Sequence, residues 1–148
     1  CLIAGTNDLA KDMQIRVTSE RHVRRDGMLY ALSKMVTAAR AYNIGVLDGV
    51  FNDIADLDGL GQECEHGTAL GFDGKTLIHP NQIATANRLF APTFEEVNEA
   101  ENIIAAFEDP ENAGKGVLKV NGKMTELLHL EQAKRVVAIA SAIQEMET

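Results

Sequence analysis

Hydrophobic residues follow two different spacings along this chain, and each spacing predicts a different type of element. Short, nearly continuous apolar runs predict buried β-strands, at residues 1–5, 44–50 and 75–78. Apolar residues three and four positions apart predict amphipathic helices, near residues 27–42, 57–70, 94–108 and 128–145, and a further helix opens at residues 79–80. Because a helix follows each strand, the pattern predicts parallel strands joined by right-handed crossovers.

Local signals in the second half of the chain predict a helix start and a hairpin. Thr93 is followed three residues later by Glu96, which is typical of a capping box at the first turn of a helix. The pair Asn121-Gly122 lies between two short segments and is a strong signal for a two-residue turn. We therefore expect a small hairpin over residues 117–124.

The fold class is α/β, but three parallel strands are too few to close a barrel. Two architectures stay open: a small open sheet, or a part of a (β/α)8 barrel whose other strands lie upstream. The chain opens at Cys1 inside the first predicted strand, with neither Met nor a charged leader before it. This opening favours the part of a barrel, and it predicts that the chain is a piece of a larger fold.

Composition and charge exclude several classes of function. The chain has 148 residues, 45% of them hydrophobic and 24% charged, which indicates one globular domain with its own core. Its net charge of −8 disfavours nucleic acid as a partner, and no apolar run is long enough to span a membrane. Two cysteines, Cys1 and Cys64, make no disulfide framework, so we expect a reducing compartment, the cytoplasm.

Asp8 is the first candidate for chemistry, because it lies just past the end of the first predicted strand. Ligands of parallel α/β folds bind at the carboxyl ends of the strands, where the loops surround the opening. A carboxylate there can bind Mg²⁺, which prefers oxygen ligands and keeps water and substrate oxygens around it. The alternative is that Asp8 only caps the following helix.

Asp48, His79 and the basic stretch over residues 16–25 are polar features that could serve either the fold or the function. Asp48 falls inside an apolar strand, so it needs a partner or a cavity. His79 stands at the end of the third strand as a candidate for substrate binding, and the alternative is a hydrogen-bonded structural histidine. The basic stretch over residues 16–25 is interpreted as solvated surface unless a phosphate lies nearby.

Three strings of the sequence, taken together, resemble one known family. They are GTNDL at residues 5–9, LGFDGKTLIHPNQ at residues 70–82 and NGKM at residues 121–124, with Asp48 and FNDI at residues 51–54 between them. They are similar to the citrate lyase β-subunit-like family of the HpcH/HpaI aldolase superfamily, which includes the malyl-CoA lyases. The resemblance covers essentially the whole chain, but only the C-terminal half of such proteins.

The resemblance implies where this chain lies in the family's fold. It corresponds to about strands six to eight of a TIM barrel with a C-terminal extension. Residues 1–108 are then part of the barrel. Residues 109–148 are a hairpin and a helix that pack on the barrel or on a neighbouring subunit.

The same resemblance implies an enzyme, a Mg²⁺-dependent carbon–carbon lyase acting on acyl-CoA. Such an enzyme splits a 3-hydroxyacyl-CoA thioester into an acetyl-CoA-type product and a 2-oxoacid such as oxaloacetate or glyoxylate, or joins the two. The metal polarises the oxoacid carbonyl, and fixed positive groups stabilise the thioester enolate. By resemblance, Asp8 is one metal ligand and the amides around Asn7, Asp8 and Leu9 hold the oxoacid carboxylate. The second ligand, a Glu, and a substrate-binding Arg belong to strands outside this chain.

Two positions depart from the family pattern. The family usually has Glu-Asp where this chain has Asn7-Asp8, so the ligand is kept and its neighbour loses a charge. Many relatives have an Asp after the Gly-Lys-Met string, whereas this chain has Thr125-Glu126. The resemblance implies that Glu126 acts as an acid/base group in the site of a neighbouring subunit, in a homotrimer or hexamer. The alternative for Glu126 is a charge in the first turn of a helix, favoured by the helix dipole.

Three other functions stay open at this stage. The chain could belong to an aldolase for free 2-oxoacids, or to a malate synthase with thioesterase activity, in the same superfamily. It could also be a non-catalytic C-terminal fragment, because the residues present supply only half of a metal site.

Overall fold

The structure is a computed structural model that describes residues 1–16 and 25–146. Its strands and α-helices are, in chain order, β1 (Leu2–Ile3), α1 (Thr6–Asp12), α2 (Leu29–Ala41), β2 (Val46–Asp48), α3 (Leu57–Leu70), β3 (Gly74–Lys75), α4 (Ile83–Phe90), α5 (Phe94–Glu108), β4 (Val117–Val120), β5 (Lys123–Glu126) and α6 (Leu127–Met146). Short 3-10 turns lie at Asp26–Met28, Pro80–Gln82 and Pro110–Asn112. The chain divides into two compact units, Cys1–Phe90 and Ala91–Thr148.

The first unit is built on a parallel sheet with the strand order β1-β2-β3. Leu2 is paired with Val46, and Leu47 is paired with Gly74, each in parallel register. The predicted parallel α/β arrangement is confirmed. All three carboxyl ends therefore meet at one edge of the sheet, which we call the carboxyl edge.

Helix α1 was not expected from the periodicity, and the strands are shorter than expected. The helix has seven residues directly after β1, and its sequence, TNDLAKD, contains too few apolar positions to show a helical period. Strand β3 ends at Lys75 rather than near residue 78. After it, Thr76 donates from both its amide and its hydroxyl to the Asp48 carbonyl, each at 3.0 Å.

The core of the first unit consists of two groups of buried apolar side chains. The first group joins α1, α2 and the sheet, and contains Ala4, Ala10, Met28, Leu32, Ala39, Val46 and Phe72. The second joins α3 and α4, and contains Phe51, Leu60, Cys64 and Ala86. Each fully buried large apolar side chain contributes about 1.5–3 kcal/mol, so these groups fix the sheet beneath the carboxyl edge.

Helix α3 has sequence-encoded ends. The Asp56 side chain accepts from the Gly59 amide at 2.8 Å and caps the first turn. At the other end, Gly71 adopts φ 94°, a left-handed conformation that glycine tolerates at a helix end. The predicted end of this helix at Gly71 is therefore confirmed.

The second unit contains α5, the hairpin and α6. Thr93 and Glu96 form both bonds of the predicted capping box. Strands β4 and β5 pair antiparallel around Asn121 and Gly122, whose φ angles of 49° and 81° suit a tight hairpin turn. Both predictions are confirmed. The expected domain boundary after residue 108 concerns the whole protein and stays a prediction, although α5 lies in the same compact unit as the hairpin.

Within residues 1–16 and 25–146, no helix is both long enough and apolar enough to cross a membrane.

Candidate functional site

Asp8 lies at the carboxyl edge, as expected, in the first turn of α1. The helix is capped at Gly5, without a side-chain capping bond, so Asp8 is not the cap. Its side chain is exposed and folds back beside Gly5, where a Cβ would lie 3.9 Å from Asp8 Oδ2. The carboxylate is therefore accessible to solvent at the end of β1, beside the residue that precedes the helix.

Asp8 offers carboxylate oxygens, which are the ligand type that Mg²⁺ prefers. Across residues 1–16 and 25–146, no three His, Cys, Asp or Glu side chains converge as a metal-binding group. Mg²⁺ does not need such a cage, because it is held by one or two carboxylates and completes its shell with water and substrate oxygens. An exposed carboxylate at a strand end fits one ligand of such a site.

The residues next to Asp8 are held in different ways. The Leu9 amide donates to the Gly5 carbonyl at 2.9 Å, so this amide is used within α1. Asn7 forms two side-chain hydrogen bonds with Asn52, which follows β2: Asn52 Nδ2 donates to Asn7 Oδ1 at 2.7 Å, and Asn7 Nδ2 donates to Asn52 Oδ1 at 3.1 Å. The ends of β1 and β2 are thus joined directly beside the candidate ligand.

A cavity of about 310 Å³ opens in the first unit next to this amide pair. Its polar lining includes Thr6, Asn7, Asn52 and Glu63, and its apolar lining includes Met28, Phe51 and Val50. This volume lies at the lower end of the range typical of small-molecule sites. The residues at the ends of β1 and β2 therefore border a concave space as well as the sheet.

Arg25 and Asp48 form a buried ion pair at the carboxyl edge, and Arg25 also lines this cavity. Arg25 Nη1 donates to both oxygens of Asp48, at 2.6 and 2.8 Å, and neither side chain is more than 2% exposed. The expectation that Asp48 needs a partner is confirmed. The interpretation of the basic stretch as solvated surface is wrong for Arg25, because the charge of Asp48 compensates the loss of water. Arg16 is exposed, as expected, and residues 17–24 lie outside the described residues.

Lys75 and Glu63 extend the ion pair to a cluster of two cations and two anions. Lys75 Nζ donates to Glu63 Oε1 at 2.5 Å and lies 3.4 Å from Asp48 Oδ2. Arg25 Nε lies 3.9 Å from Glu63 Oε2, an ionic contact that is too long for a hydrogen bond. We call Arg25, Asp48, Glu63 and Lys75 the buried charge cluster. Its charges balance, as buried charges must.

The sequence pattern does not single out Glu63 or Lys75. One signal was available for Glu63, which lies on the same face of α3 as the buried Leu60, Cys64 and Gly67. A charged residue on an apolar helical face needs a partner of opposite charge. The identity of that partner, Lys75, depends on how α3 packs on the sheet.

Two titratable side chains beside the buried charge cluster have shifted pKa values. Burial, and then the positive charge of Arg25, lower the pKa of His66, whose Nδ1 lies 3.1 Å from Arg25 Nη2. The neutral ring can accept this hydrogen bond. Burial raises the pKa of the Cys64 thiol, which makes it a poor nucleophile. Cys64 is therefore a core residue.

His79 and Glu126 lie in different compact units. His79 is exposed, and its ring accepts from the Asn81 amide at 3.2 Å, so it caps the 3-10 turn Pro80–Gln82. This bond is the structural role considered from the sequence, and substrate binding by His79 stays a prediction. Glu126 is half-buried and is the last residue of β5, so it precedes α6 instead of lying in its first turn.

Comparison with known proteins gives several relatives of this chain. It is 46% identical over 142 residues to a (3S)-malyl-CoA thioesterase of Cereibacter sphaeroides, covering 96% of this chain and 48% of the relative. It is 38% identical to citrate lyase subunit beta of Leuconostoc mesenteroides, covering 90% of this chain and 44% of that protein. It is 36% identical to the mitochondrial citramalyl-CoA lyase of Rattus norvegicus, covering 91% and 40%. The chain thus spans about half the length of these relatives or somewhat less.

Solved structures with a similar fold include two proteins named CitE or citrate lyase. The CitE protein of Mycobacterium tuberculosis, crystallised with magnesium, acetoacetate and coenzyme A, is 29% identical with a TM-score of 0.64, over 76% of this chain and 40% of that one. A citrate lyase of Burkholderia xenovorans has a TM-score of 0.79 over 97% of this chain and 46% of that one, and at 19% identity it shows the fold alone. The sequence model for HpcH/HpaI aldolase/citrate lyase matches residues 1–80, which include β1 to β3. The chain therefore belongs to the HpcH/HpaI aldolase/citrate lyase family.

Proposed function

We propose that the protein containing this chain is a Mg²⁺-dependent carbon–carbon lyase acting on 3-hydroxyacyl-CoA thioesters. The observation that supports this most is the exposed carboxylate of Asp8 at the carboxyl edge, inside the family match. Relatives named citramalyl-CoA lyase and citrate lyase subunit beta, and a structural neighbour holding magnesium and coenzyme A, support the same chemistry.

The proposal includes the architecture of the whole protein. Strands β1 to β3 are then consecutive strands of a (β/α)8 barrel, with the remaining strands supplied by residues outside this chain. The parallel order β1-β2-β3 and the match to about half the length of the relatives support this arrangement. The second metal ligand would come from one of those other strands.

The proposed reaction divides the substrate between C2, the carbon attached to the thioester carbonyl, and C3. A base removes the proton of the 3-hydroxyl, the bond between C2 and C3 breaks, and its electron pair passes to C2, where the thioester carbonyl delocalises it. A proton then returns to C2, which leaves an acetyl-CoA-type thioester and a 2-oxoacid. Bound Mg²⁺ would supply a Lewis acid for the oxoacid oxygens.

The residues of this chain would have separate roles in that reaction. Asp8 would hold the metal, and the backbone amides of Asn7 and Asp8 would bind the oxoacid carboxylate. The Leu9 amide is already bonded to the Gly5 carbonyl, so it does not fit the role expected of it in binding the oxoacid, and Leu9 packs against the core instead. Glu126 of a second copy would donate or accept the proton, so the active protein would be an oligomer, and by the family resemblance a homotrimer or hexamer.

An assay of products tests the proposed reaction. The full-length protein is incubated with Mg²⁺ and either CoA-linked or free hydroxyacids, and chromatography follows the products. We expect an acyl-CoA and an oxoacid from the CoA-linked substrate, and no reaction after chelation of Mg²⁺. Cleavage of the free hydroxyacid alone would instead indicate an aldolase of the same superfamily.

Thioester hydrolysis is the second candidate, because the chain is 46% identical to a relative named (3S)-malyl-CoA thioesterase. In that reaction water attacks the thioester carbonyl and the C–S bond breaks, which releases coenzyme A and the hydroxyacid. The two candidates differ in both products: hydrolysis gives coenzyme A and the hydroxyacid, whereas carbon–carbon cleavage gives an acyl-CoA and an oxoacid. Release of free thiol without an oxoacid indicates hydrolysis, whereas formation of an oxoacid without free thiol indicates carbon–carbon cleavage.

The non-catalytic alternative and the cytoplasmic location have separate tests. Mass spectrometry of the natural protein would show a chain about twice this length if the catalytic proposal holds. A natural polypeptide that starts near Cys1 would support a fragment with another role.

Fractionation of cells would locate the protein, and we expect it in the cytoplasm.

A further inference from the structure

The reciprocal bond between Asn7 and Asn52 has a geometry that few side chains can form. Each amide donates one hydrogen bond to the other and accepts one, at 2.7 and 3.1 Å, across 45 positions of sequence. Only Asn and Gln have a donor and an acceptor on one planar amide group. The pair therefore fixes the orientation of the Asn7 side chain, on the residue that precedes Asp8 in α1.

Asn52 stands on a segment whose backbone is held by Gln82. Before it, the Phe51 carbonyl accepts from Nε2 of the fully buried Gln82 at 3.0 Å. Gln82 Oε1 in turn accepts from the Ile78 amide at 3.1 Å. Asn52 is exposed, but the chain that carries it is attached to the core through Phe51 and to the segment after β3 through Gln82.

The buried charge cluster holds the start of the same segment. The Gly49 amide donates to Asp48 Oδ1 at 2.8 Å, and the Gly49 carbonyl accepts from Lys75 Nζ at 2.5 Å. Gly49 also lies against the end of β1, because a Cβ there would be 2.3 Å from Thr6 Oγ1 and 2.6 Å from the Ala4 carbonyl. The segment over residues 49–52 is thus a fixed surface beside the first turn of α1.

The first turn of α1 needs such support. The helix has seven residues and no side-chain cap, and short helices are marginal without tertiary contacts. A carboxylate that binds a metal must be held within a fraction of an ångström of its place. Asn52, which lies outside α1, supplies a side-chain contact of this kind to Asn7, the residue before Asp8.

We propose that Asn52 is a positioning residue for the metal site, acting through Asn7 on Asp8. The inference rests on the proposed function, in which Asp8 binds Mg²⁺. It assigns to the segment after β2 a role in the affinity of the site, although Asn52 is not itself a metal ligand.

Titration of the full-length protein with Mg²⁺ alone tests this role, with calorimetry as the readout. We expect Asn52→Ala to raise the Kd for Mg²⁺ about two- to tenfold, the range of a net side-chain hydrogen bond. Asn87→Ala is the matched control, because Asn87 is an exposed asparagine on α4. It should bind Mg²⁺ like the unmodified protein, and both variants should unfold at about the same temperature.

A double-variant cycle separates positioning from a general loss of structure. If the two asparagines act as one unit, Asn7→Ala with Asn52→Ala should bind Mg²⁺ no more weakly than Asn7→Ala alone. Excess Mg²⁺ should restore the rate of Asn52→Ala, which a structural defect would not allow. Equal Mg²⁺ binding by Asn52→Ala and the unmodified protein would overturn the inference, and so would fully additive losses.

The same titration distinguishes the two proposals. An unmodified protein that neither binds nor requires Mg²⁺ contradicts the proposed function. An unmodified protein that binds Mg²⁺, with an Asn52→Ala variant that binds it equally well, contradicts only the role of Asn52.

Discussion

Asp48 and Asp8 both stand at the carboxyl ends of neighbouring parallel strands, but their surroundings are opposite. Asp48 is fully buried and accepts two hydrogen bonds from Arg25, with Lys75 3.4 Å away. Asp8 is exposed and faces solvent. A buried carboxylate between two cations is committed to stability, whereas an exposed carboxylate at the same edge keeps its oxygens available for a ligand. The difference suggests which of the two can be changed without unfolding the protein.

The largest effect is expected from breaking the buried charge cluster with Asp48→Asn. The change keeps the volume but leaves the cations of Arg25 and Lys75 buried with one anion, and loss of one partner of a buried pair costs about 3–5 kcal/mol. Urea unfolding of the full-length protein measures the loss. If Asp48→Asn lowers the free energy of unfolding by less than about 1 kcal/mol, which is the range of exposed ion pairs, the cluster is not a main source of stability.

Asp8→Asn is expected to reduce the enzymatic rate and to leave the stability nearly unchanged, unlike Asp48→Asn. Loss of a metal ligand should lower the Mg²⁺-dependent rate by about 100-fold or more, because the metal contributes several kcal/mol to the transition state. The free energy of unfolding should change by less than about 0.5 kcal/mol. Asp58→Asn is the control, since Asp58 is also an exposed carboxylate in a first helical turn, that of α3. Equal rates for both variants would remove Asp8 from the site.

Gly49→Ala tests the close approach between the ends of β1 and β2. The new Cβ would lie 2.3 Å from Thr6 Oγ1, so the segment after β1 must shift, and overpacking of this kind costs about 1–3 kcal/mol. Gly116→Ala is the control, because a Cβ at Gly116 meets no atom within 4 Å. Thermal unfolding of both variants measures the difference. Equal unfolding temperatures would mean that the two strand ends are not in tight contact.

His66 makes the stability of the buried charge cluster depend on pH. Burial and Arg25 lower the pKa of His66 below its ordinary 6.5, so just below pH 6.5 the unfolded chain binds a proton that the folded protein excludes. The free energy of unfolding should therefore fall as the pH decreases through this window. His66→Gln should weaken that dependence. Urea unfolding at pH 7.5 and at about pH 5.5 measures it, and an unchanged difference between the two pH values would contradict the role of His66.

The smallest effect is expected in the second unit, for Lys123→Ala. Lys123 Nζ lies 2.9 Å from Glu99 Oε1, but the two side chains are 74% and 51% exposed. Exposed pairs of this type contribute at most about 1 kcal/mol. Urea unfolding should show a loss within that limit, and salt should reduce it further. A loss as large as that of Asp48→Asn would mean that burial is not what separates the two kinds of ion pair.

Parts of the candidate site were accessible from the sequence and others were not. The position of Asp8 after a strand and the need of Asp48 for a partner follow from local pattern. Local pattern places Arg25 at the surface, and it does not distinguish Asn52 from the other polar residues after β2. Both partners are distant in sequence, because 23 positions separate Arg25 from Asp48 and 45 separate Asn52 from Asn7.

By itself, the sequence determined the elements whose causes are local: the helical and strand periods, the end of α3 at Gly71, the capping box at Thr93 and the turn at Asn121 and Gly122. These depend on residues within a few positions of one another, so pattern and propensity are sufficient. Only the tertiary structure decided which charges are buried together and which side chains meet at the carboxyl edge. Those contacts depend on how strands and helices pack across tens of residues, and burial then determines whether a given charge stabilises the fold or stays available for a ligand.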